Sequence, residues 1–397
     1  MKKKLFIVFA IIVVICGLFI GGYLGYRHYQ VKNALKIVKI KTKEVDVYSD
    51  IRLADLIESL NGKLIDNPRI DTSKLGQKAI NFSYINDGNI KVDYTFSIDI
   101  VDKTPPIISQ IEVYNVDLFY EGDLSKKLFC GDNYDPNPVC RVVGNYDLNK
   151  VGKYNVSFVA EDSSHNIASH DFILNVQEKS KGIASKTSTT DFSSVVDNYK
   201  NANTKIGIDI SHWQGDIDFN EVKKAGVEFA YIRVGRGSGI GGGYVLDSKF
   251  IQNIEGFNAV DIPVGVYFYS YANSYSDAIN EAKWVLKQIK KYDVQLEIVF
   301  DWENWSLFQD FDLSFYNLTK MAEAFILEVE SNGYEGMLYS SKNYLENIWY
   351  PISHPIFLAH YTKKTDYEGK YKVWQICNNG KVPGIDDNLV DIDIRYE

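Results

Sequence analysis

The 397-residue chain has no excess of positive charge: 43 Lys and Arg against 52 Asp and Glu leave a formal net charge of −9. Nothing therefore offsets phosphate repulsion over the whole surface, which excludes a general nucleic-acid binder. Cysteine is scarce, with four in all. Cys130 and Cys140 have no His or further Cys close by in sequence, so a zinc site is not expected. A phosphate-binding loop is missing too: GRGSGIGGG (235–243) has no Lys-Ser/Thr after it and reads as a loop. His212 and His360 stand without any Ser or Cys nucleophile motif, which removes the common acyl-transfer hydrolases. Charge is absent altogether between Leu5 and Tyr26.

That uncharged run follows three lysines and, as a helix, would span ~33 Å, enough to cross a bilayer. It is too long for a signal-peptide core and lacks a small-x-small exit, and Ile15 before Cys16 does not suit lipoprotein cleavage. The expectation is an uncleaved single-pass membrane anchor within residues 1–33, N-terminus inside, with Cys16 in the membrane and the remaining domains extracellular. Outside the membrane a disulfide between Cys130 and Cys140, closing CGDNYDPNPVC, is expected, with Cys377 a buried thiol.

What the chain has in quantity is aromatic residues: 28 Tyr, 21 Phe and 6 Trp. Tyr and Trp join a flat apolar face to a polar edge, which suits sugar rings, although β-rich cores account for most of them equally well. Hydrophobic content of 45% and charged content of 24% are those of folded protein.

From residue 37 to 177 β-branched segments alternate with turn residues, and the region repeats itself. IDTSKLGQKAINFSY (70–84) aligns with YDLNKVGKYNVSFVA (146–160), Gly76 falling on Gly152 and Phe82 on Phe158. Two small β-sandwich modules are expected, at 37–103 and 104–177. The pattern K-x-G-x-Y-x-V-x-F-x-A-x-D after VDKTPP resembles bacterial immunoglobulin-like repeats of surface proteins. Asp132, Asn133 and Asp135 are explained by turn chemistry, so no metal is assigned. Residues 178–203, rich in Ser, Thr, Lys and Asn, read as a linker.

From residue 204 apolar strands alternate with amphipathic helices, the pattern of a parallel sheet. Eight strands and about five helices predict an α/β barrel of TIM-like type, closed by three helix-poor strands (PIFLAHY, KVWQIC, LVDIDI), with its site at the C-terminal strand ends. Those ends carry Asp209, then Tyr267 and Tyr269, then Asp301 and Glu303 in IVFDWENW, then Tyr339, Tyr361, Trp374 with Gln375, and Asp391. Asp301 and Glu303, two residues apart, are expected to face one side. Crowded acids cannot all ionise, so one holds a proton, the requirement for cleaving a glycosidic bond. Single Asp residues at strand ends are more often turns or helix caps. Two acids on one buried strand are costly without a task. Asp393 shares a face with Asp391, so that strand alone does not say which acid matters.

Residues 205–397 resemble glycoside hydrolase family 25, the Chalaropsis-type lysozymes. GIDISHWQGDIDF (207–219), FAYIRVG (229–235), PVGVYFYSYA (263–272), VFDWE (299–303), MLYSS (337–341), LAHY (358–361) and VWQICNNGKVPGIDDNLVDID (373–393) carry the likeness in order and spacing. The resemblance implies hydrolysis of the β-1,4 bond between N-acetylmuramic acid and N-acetylglucosamine in peptidoglycan, and a Gram-positive surface would give the β-module spacer its purpose. It implies no cofactor. It makes Glu303 the acid/base, Asp301 the group that orients the substrate N-acetyl or stabilises developing charge, and Asp209 and Asp391 the other site acids. Tyr267, Tyr269, Tyr339, Tyr361, Trp374 and Gln375 are the expected glycan-binding residues. Phe357 departs from the family's usual Trp, and Cys377-Asn378-Asn379 from its Thr-Ser-Ser. The alternatives are a non-catalytic peptidoglycan-binding or structural surface protein, and a hydrolase of chitin or another polysaccharide.

Overall fold

A computed structural model describes residues 2–32, 36–179, 188–385 and 388–397. The chain divides into two compact units, Met1–Lys103 and Thr104–Glu397. The first opens with a 31-residue helix, Lys2–Lys32. Its Ile11–Val31 stretch is long and apolar enough, by length and composition, to cross a membrane. Residues 1 and 33 of the expected anchor segment lie outside the described residues.

The remainder of that unit holds a four-stranded sheet in the order Glu44–Asp46, Lys91–Val101, Gly76–Asn86, Gly62–Leu64. Its outermost pair is parallel on one side and antiparallel on the other. The second unit begins with a sheet of the same design: Val113–Asp117, Ile167–Gln177, Gly152–Glu161, Val139–Gly144. Here too the first strand pairs parallel with the last and the rest are antiparallel. The sequence repeat is therefore a repeat of topology, with Gly76 and Gly152 each opening the corresponding long strand. Alternation supplies each core: Tyr84, Val92 and Ile98 are buried in one, Phe158, Leu174 and Val176 in the other, while their chain neighbours face outward. Cys130 and Cys140 are disulfide-bonded, and Cys377 is a buried free thiol.

The barrel is built from β1 (Thr204–Ile210), β2 (Ala230–Gly237), β3 (Val264–Tyr269), β4 (Ile298–Asp301), β5 (Gly336–Ser341), β6 (Ile356–Ala359), β7 (Val373–Lys381) and β8 (Val390–Tyr396). Strands β1 to β7 run parallel in sequence, and β8 closes the ring by pairing antiparallel with both β7 and β1. The reversal has a simple cause. The chain between Lys381 and Val390 is shorter than the dozen or so residues a parallel crossover needs. Among the described residues, an α-helix follows each of the strands β1 to β5: α2 (Phe219–Lys224), α3 (Phe250–Ala259), α4 (Tyr275–Ile289), α5 (Phe315–Ser331) and α6 (Lys342–Asn347). Asp218, Ser274 and Ser314 cap three of them through side-chain oxygens that accept early helical N–H groups.

One boundary shifts. Of the segment read as a linker, residues 180–187 lie outside the described residues, but 190–199 are part of the barrel. Thr190–Asp191 pairs with Gly380–Lys381, and helix α1 (Phe192–Tyr199) buries Phe192 and Val195 in the barrel core. Its polar composition hid two well-placed apolar anchors. Asn379 fastens this segment, donating to the Ser188 carbonyl and accepting from Thr190 Oγ1. That is a structural use for one of the four residues departing from the family pattern.

At the strand end away from the candidate site, Glu297 is almost fully buried against the bidentate Arg395 guanidinium (2.6 and 2.8 Å), Lys372 and the Tyr231 hydroxyl. Burial alone would raise its pKa. The hydrogen bonds from Arg395, Lys372 and Tyr231 outweigh this and hold it at about 2. A depressed carboxyl contributes stability above its unfolded value that is lost as pH falls through the folded one. Glu297→Gln, which strands a buried guanidinium, is expected to cost ~3–5 kcal/mol at pH 7. The gap from wild type should narrow between pH 4.5 and 2, as measured by urea midpoints.

Candidate active site

The C-terminal strand ends form a pocket of about 350 Å³ lined by Asp209, Tyr267, Val299, Asp301, Glu303, Tyr339, Phe357, Gln375 and Asp391. The four acids expected from the sequence thus meet in one place. Asp301 is the last residue of β4 and is buried. Glu303 lies beyond the strand end and reaches the open mouth. Trp302 between them turns into the core, its Nε1 donating to the Ala272 carbonyl. Trp302 and Trp305 are therefore core residues that fix the acids' segment, and they offer no face to a sugar. Asp301 is braced through its backbone, whose carbonyl accepts from Ser270 N–H at 2.7 Å.

Antiparallel closure places Asp391 directly opposite Asp209 in register. Gln375 joins them. Its Nε2 donates to Asp209 Oδ2 (2.6 Å) and Asp391 Oδ2 (3.2 Å), while its Oε1 accepts from Tyr339 and Tyr361 hydroxyls, each at 2.9 Å. Every polar capacity of the amide is in use, so its orientation is set by the acids on one side and the phenols on the other.

Burial and mutual repulsion push the acids upward. Desolvation, then the Asp391 charge, raises Asp209 well above the usual carboxylate range; desolvation, then Glu303, does the same to Asp301. Asp391 is pushed up to about 7 by desolvation and the Glu303 charge. The enclosing walls raise Glu303 as well, opposed by a hydrogen bond from Asp301. The cluster thus carries protons at neutral pH. Asp393, fully buried one layer below Asp391, is likewise raised well above the usual carboxylate range by desolvation and then by the Asp209 and Asp391 charges. The face shared by these two is resolved by depth: Asp391 opens to the mouth and Asp393 does not.

Of the expected glycan-binding residues, Tyr267, Tyr339 and Gln375 line the pocket. Tyr361, 52% exposed, borders a neighbouring hollow of about 750 Å³ that shares Glu303 and Tyr339. Tyr269 stands in register with Asp301, its hydroxyl pKa raised by burial and then by that charge. Trp374 is a correction. It is buried in the core, donates to the His360 carbonyl and meets Tyr199 of α1 edge-on. Adjacent strand residues face opposite ways, so Gln375 and Trp374 cannot both face the site. Phe357 does line the pocket, packed against Tyr231 and Tyr339.

Sequence reasoning passed over Arg233. It lies on β2 in register with Tyr267, is held by the buried Asp247 carboxylate (2.9 and 2.7 Å), and its charge lowers the pKa values of Asp209 and Asp301. The signal was present: an Arg inside the apolar strand FAYIRVG needs a buried partner. His212 is engaged by Asp247 and Arg233, and His360 by Thr365, so both have structural partners.

Residues 208–385 match the family model for glycosyl hydrolases family 25. The chain is similar to an autolytic lysozyme of Clostridium acetobutylicum, 29% identical over 182 residues, which cover 45% of this chain and 52% of that protein. It is also similar to lysozyme M1 of Streptomyces globisporus, 37% identical over 70 residues, 18% of this chain and 22% of that one. The chain thus spans about half the length of the first relative and about a fifth of the second. Among solved structures, a family 25 glycosyl hydrolase from Bacillus anthracis aligns at a TM-score of 0.43 and 24% identity, covering 50% of this chain and 92% of that one.

A raised carboxyl works against stability above its unfolded pKa, because the folded state binds the extra proton and must lose it as pH rises. For Asp391 the window runs from about 4 to about 7. Asp391→Asn is expected to unfold at a higher temperature than wild type at pH 8, by ~2–4 °C, and at nearly the same temperature at pH 4. Thermal melts at the two pH values check this.

Proposed function

We propose that residues 204–397 are an N-acetylmuramidase that hydrolyses the β-1,4 bond between N-acetylmuramic acid and N-acetylglucosamine in peptidoglycan. The observation that carries the reading is the convergence of Asp209, Asp301, Glu303 and Asp391 in one proton-holding pocket within the stretch matching family 25. The lysozyme relatives lend it the substrate. Glu303 is the acid/base: of the four it is the exposed one, and it lines both hollows, which give a glycan room on either side. Asp301, buried beside it, orients the substrate's N-acetyl group or, as a carboxylate, stabilises the positive charge that group develops. Tyr267, Tyr269, Tyr339 and Tyr361 supply apolar faces and hydroxyls, and Gln375 holds the Asp209–Asp391 pair in place.

The helix Lys2–Lys32 serves in this reading as a single-pass anchor, and the two β-modules, of immunoglobulin-like kind, carry the barrel into the wall. Their shared strand order and repeated sequence support a common origin for the modules.

The test uses the intact chain and purified peptidoglycan, with the new reducing ends identified by mass spectrometry. Muramic acid ends are expected. N-acetylglucosamine ends, or intact glycan, would remove the assignment and favour a different polysaccharide or a binding role. Glu303→Gln is expected to lose at least about 1000-fold in kcat while still sedimenting with the polymer, because the amide keeps the shape and has no proton to give. Asp301→Asn should lose less. For the anchor, N-terminal sequencing of the native protein from membranes is expected to read from the lysine cluster; a start near residue 22 or beyond would mean secretion instead.

A further inference from the structure

The loop that follows Glu303 is held from outside the barrel. Asn304 is buried, its Nδ2 donating to the Ser270 carbonyl at 2.8 Å. Trp305 then stacks on Tyr344 at 3.8 Å between ring centres and meets Trp302 edge-on at 4.9 Å. Into this aromatic group comes Phe129, a residue of the second β-module. Its ring lies 5.6 Å from Phe308, 6.2 Å and nearly parallel to Phe315, 6.3 Å from Tyr344 and 6.4 Å from Trp305. Phe129 is thereby packed against the barrel's own core, although more than 170 residues separate it from its partners.

Polar contacts hold the same place. Gln309 Nε2 donates to the Ser125 and Leu128 carbonyls, each at 3.1 Å, and the Phe315 N–H, an orphan donor in the first turn of α5, is received by the Asp132 carbonyl at 2.8 Å. The approach is so close that a Cβ on Gly131 would stand 2.6 Å from Phe315 Cε1 and 2.7 Å from Phe308 Cε1. Asn137 bonds Asp312. Lys126 and Asp310 add an exposed ion pair of little worth. A tether that only spaces the barrel from a surface needs none of this.

We propose that the Ser125–Asn137 loop of the second β-module is a clamp on residues 304–315, and that Phe129 is a positioning residue for Glu303. This rests on the muramidase reading for its catalytic consequence, but not for its structural one. A carboxyl at the mouth, one residue from Asn304, takes its direction from how firmly that loop is seated. Small displacements of a proton donor are expensive, on the order of 10²-fold in rate for about 1 Å.

The experiment compares the full chain with Phe129→Ala, Phe129→Leu, Gln309→Ala and, as a surface control on the same module, Val151→Ser. Hydrogen exchange is read first. Phe129→Ala is expected to raise amide exchange across 304–313 by at least about 10-fold while the barrel strands stay protected, Phe129→Leu to restore most of the protection, and Val151→Ser to change nothing. Steady-state cleavage of soluble glycan fragments is read second. Phe129→Ala and Gln309→Ala should lower kcat by at least about 10-fold with KM within about twofold, and Phe129→Leu should recover it. Unchanged exchange over 304–313 in Phe129→Ala overturns the clamp, whatever the activity. Loosened exchange with wild-type kcat overturns the positioning role. A wild-type chain that cleaves nothing overturns the muramidase reading and leaves the exchange result to decide the clamp. A Phe129→Ala chain without cooperative unfolding is replaced by Gln309→Ala, for which the same outcomes count.

Discussion

Antiparallel closure of the barrel is the constraint on which the candidate site depends. With β8 reversed, Asp391 comes directly opposite Asp209 instead of being staggered from it, and two like charges then face each other across one ladder position. Such a pair persists only if something donates to both. Gln375 does so from the neighbouring strand, and its other end is pinned by two tyrosine hydroxyls from β5 and the segment after β6. The remaining acids extend the same logic. Asp301 and Glu303 crowd the group further, and the protein answers with protons and with the guanidinium of Arg233, whose side chain is 12% exposed. At the opposite end the polarity is inverted: one carboxylate, Glu297, sits among two cations and stays ionised. The barrel is thus strained electrostatically at its mouth and fastened at its base, the usual distribution when stability and chemistry are drawn from different ends of one fold.

Much of this was legible in the amino-acid order. The eight strands follow from apolar runs bounded by turn residues, and their ends name the acids because a barrel brings strand ends together wherever they lie in the chain. The pairing of Asp301 with Glu303 was readable as two acids on one side of a strand, although Glu303 in fact stands past the strand's end, where Trp302 has turned inward. The reading went astray where adjacent residues compete for one face. Gln375 takes the inward position and Trp374 is displaced into the core, which a list of aromatic residues at strand ends does not reveal.

Other features were not legible because they are made by distant chain segments. Residues 190–199 look like linker by composition, yet Phe192 and Val195 are two apolar side chains that find a prepared groove. Arg233 did carry a signal, a charge inside an apolar strand, but nothing local named its partner, Asp247, 14 residues further on. Phe129 gave no signal at all. Its partners are Trp305, Phe308, Phe315 and Tyr344, and only folding sets them around it. A spacer and a clamp have the same local sequence.

The parallel pairing of first and last strands in each four-stranded sheet has a mechanical side. In both sheets the strand by which the chain enters, Glu44–Asp46 or Val113–Asp117, lies beside the strand by which it leaves, pointing the same way. Tension along the chain pulls such neighbours in opposite directions along their length. The ladder's hydrogen bonds are then loaded together in shear, and no single bond can open ahead of the rest as in unzipping. Modules wired in this manner transmit force without lengthening, and they yield abruptly when they yield at all.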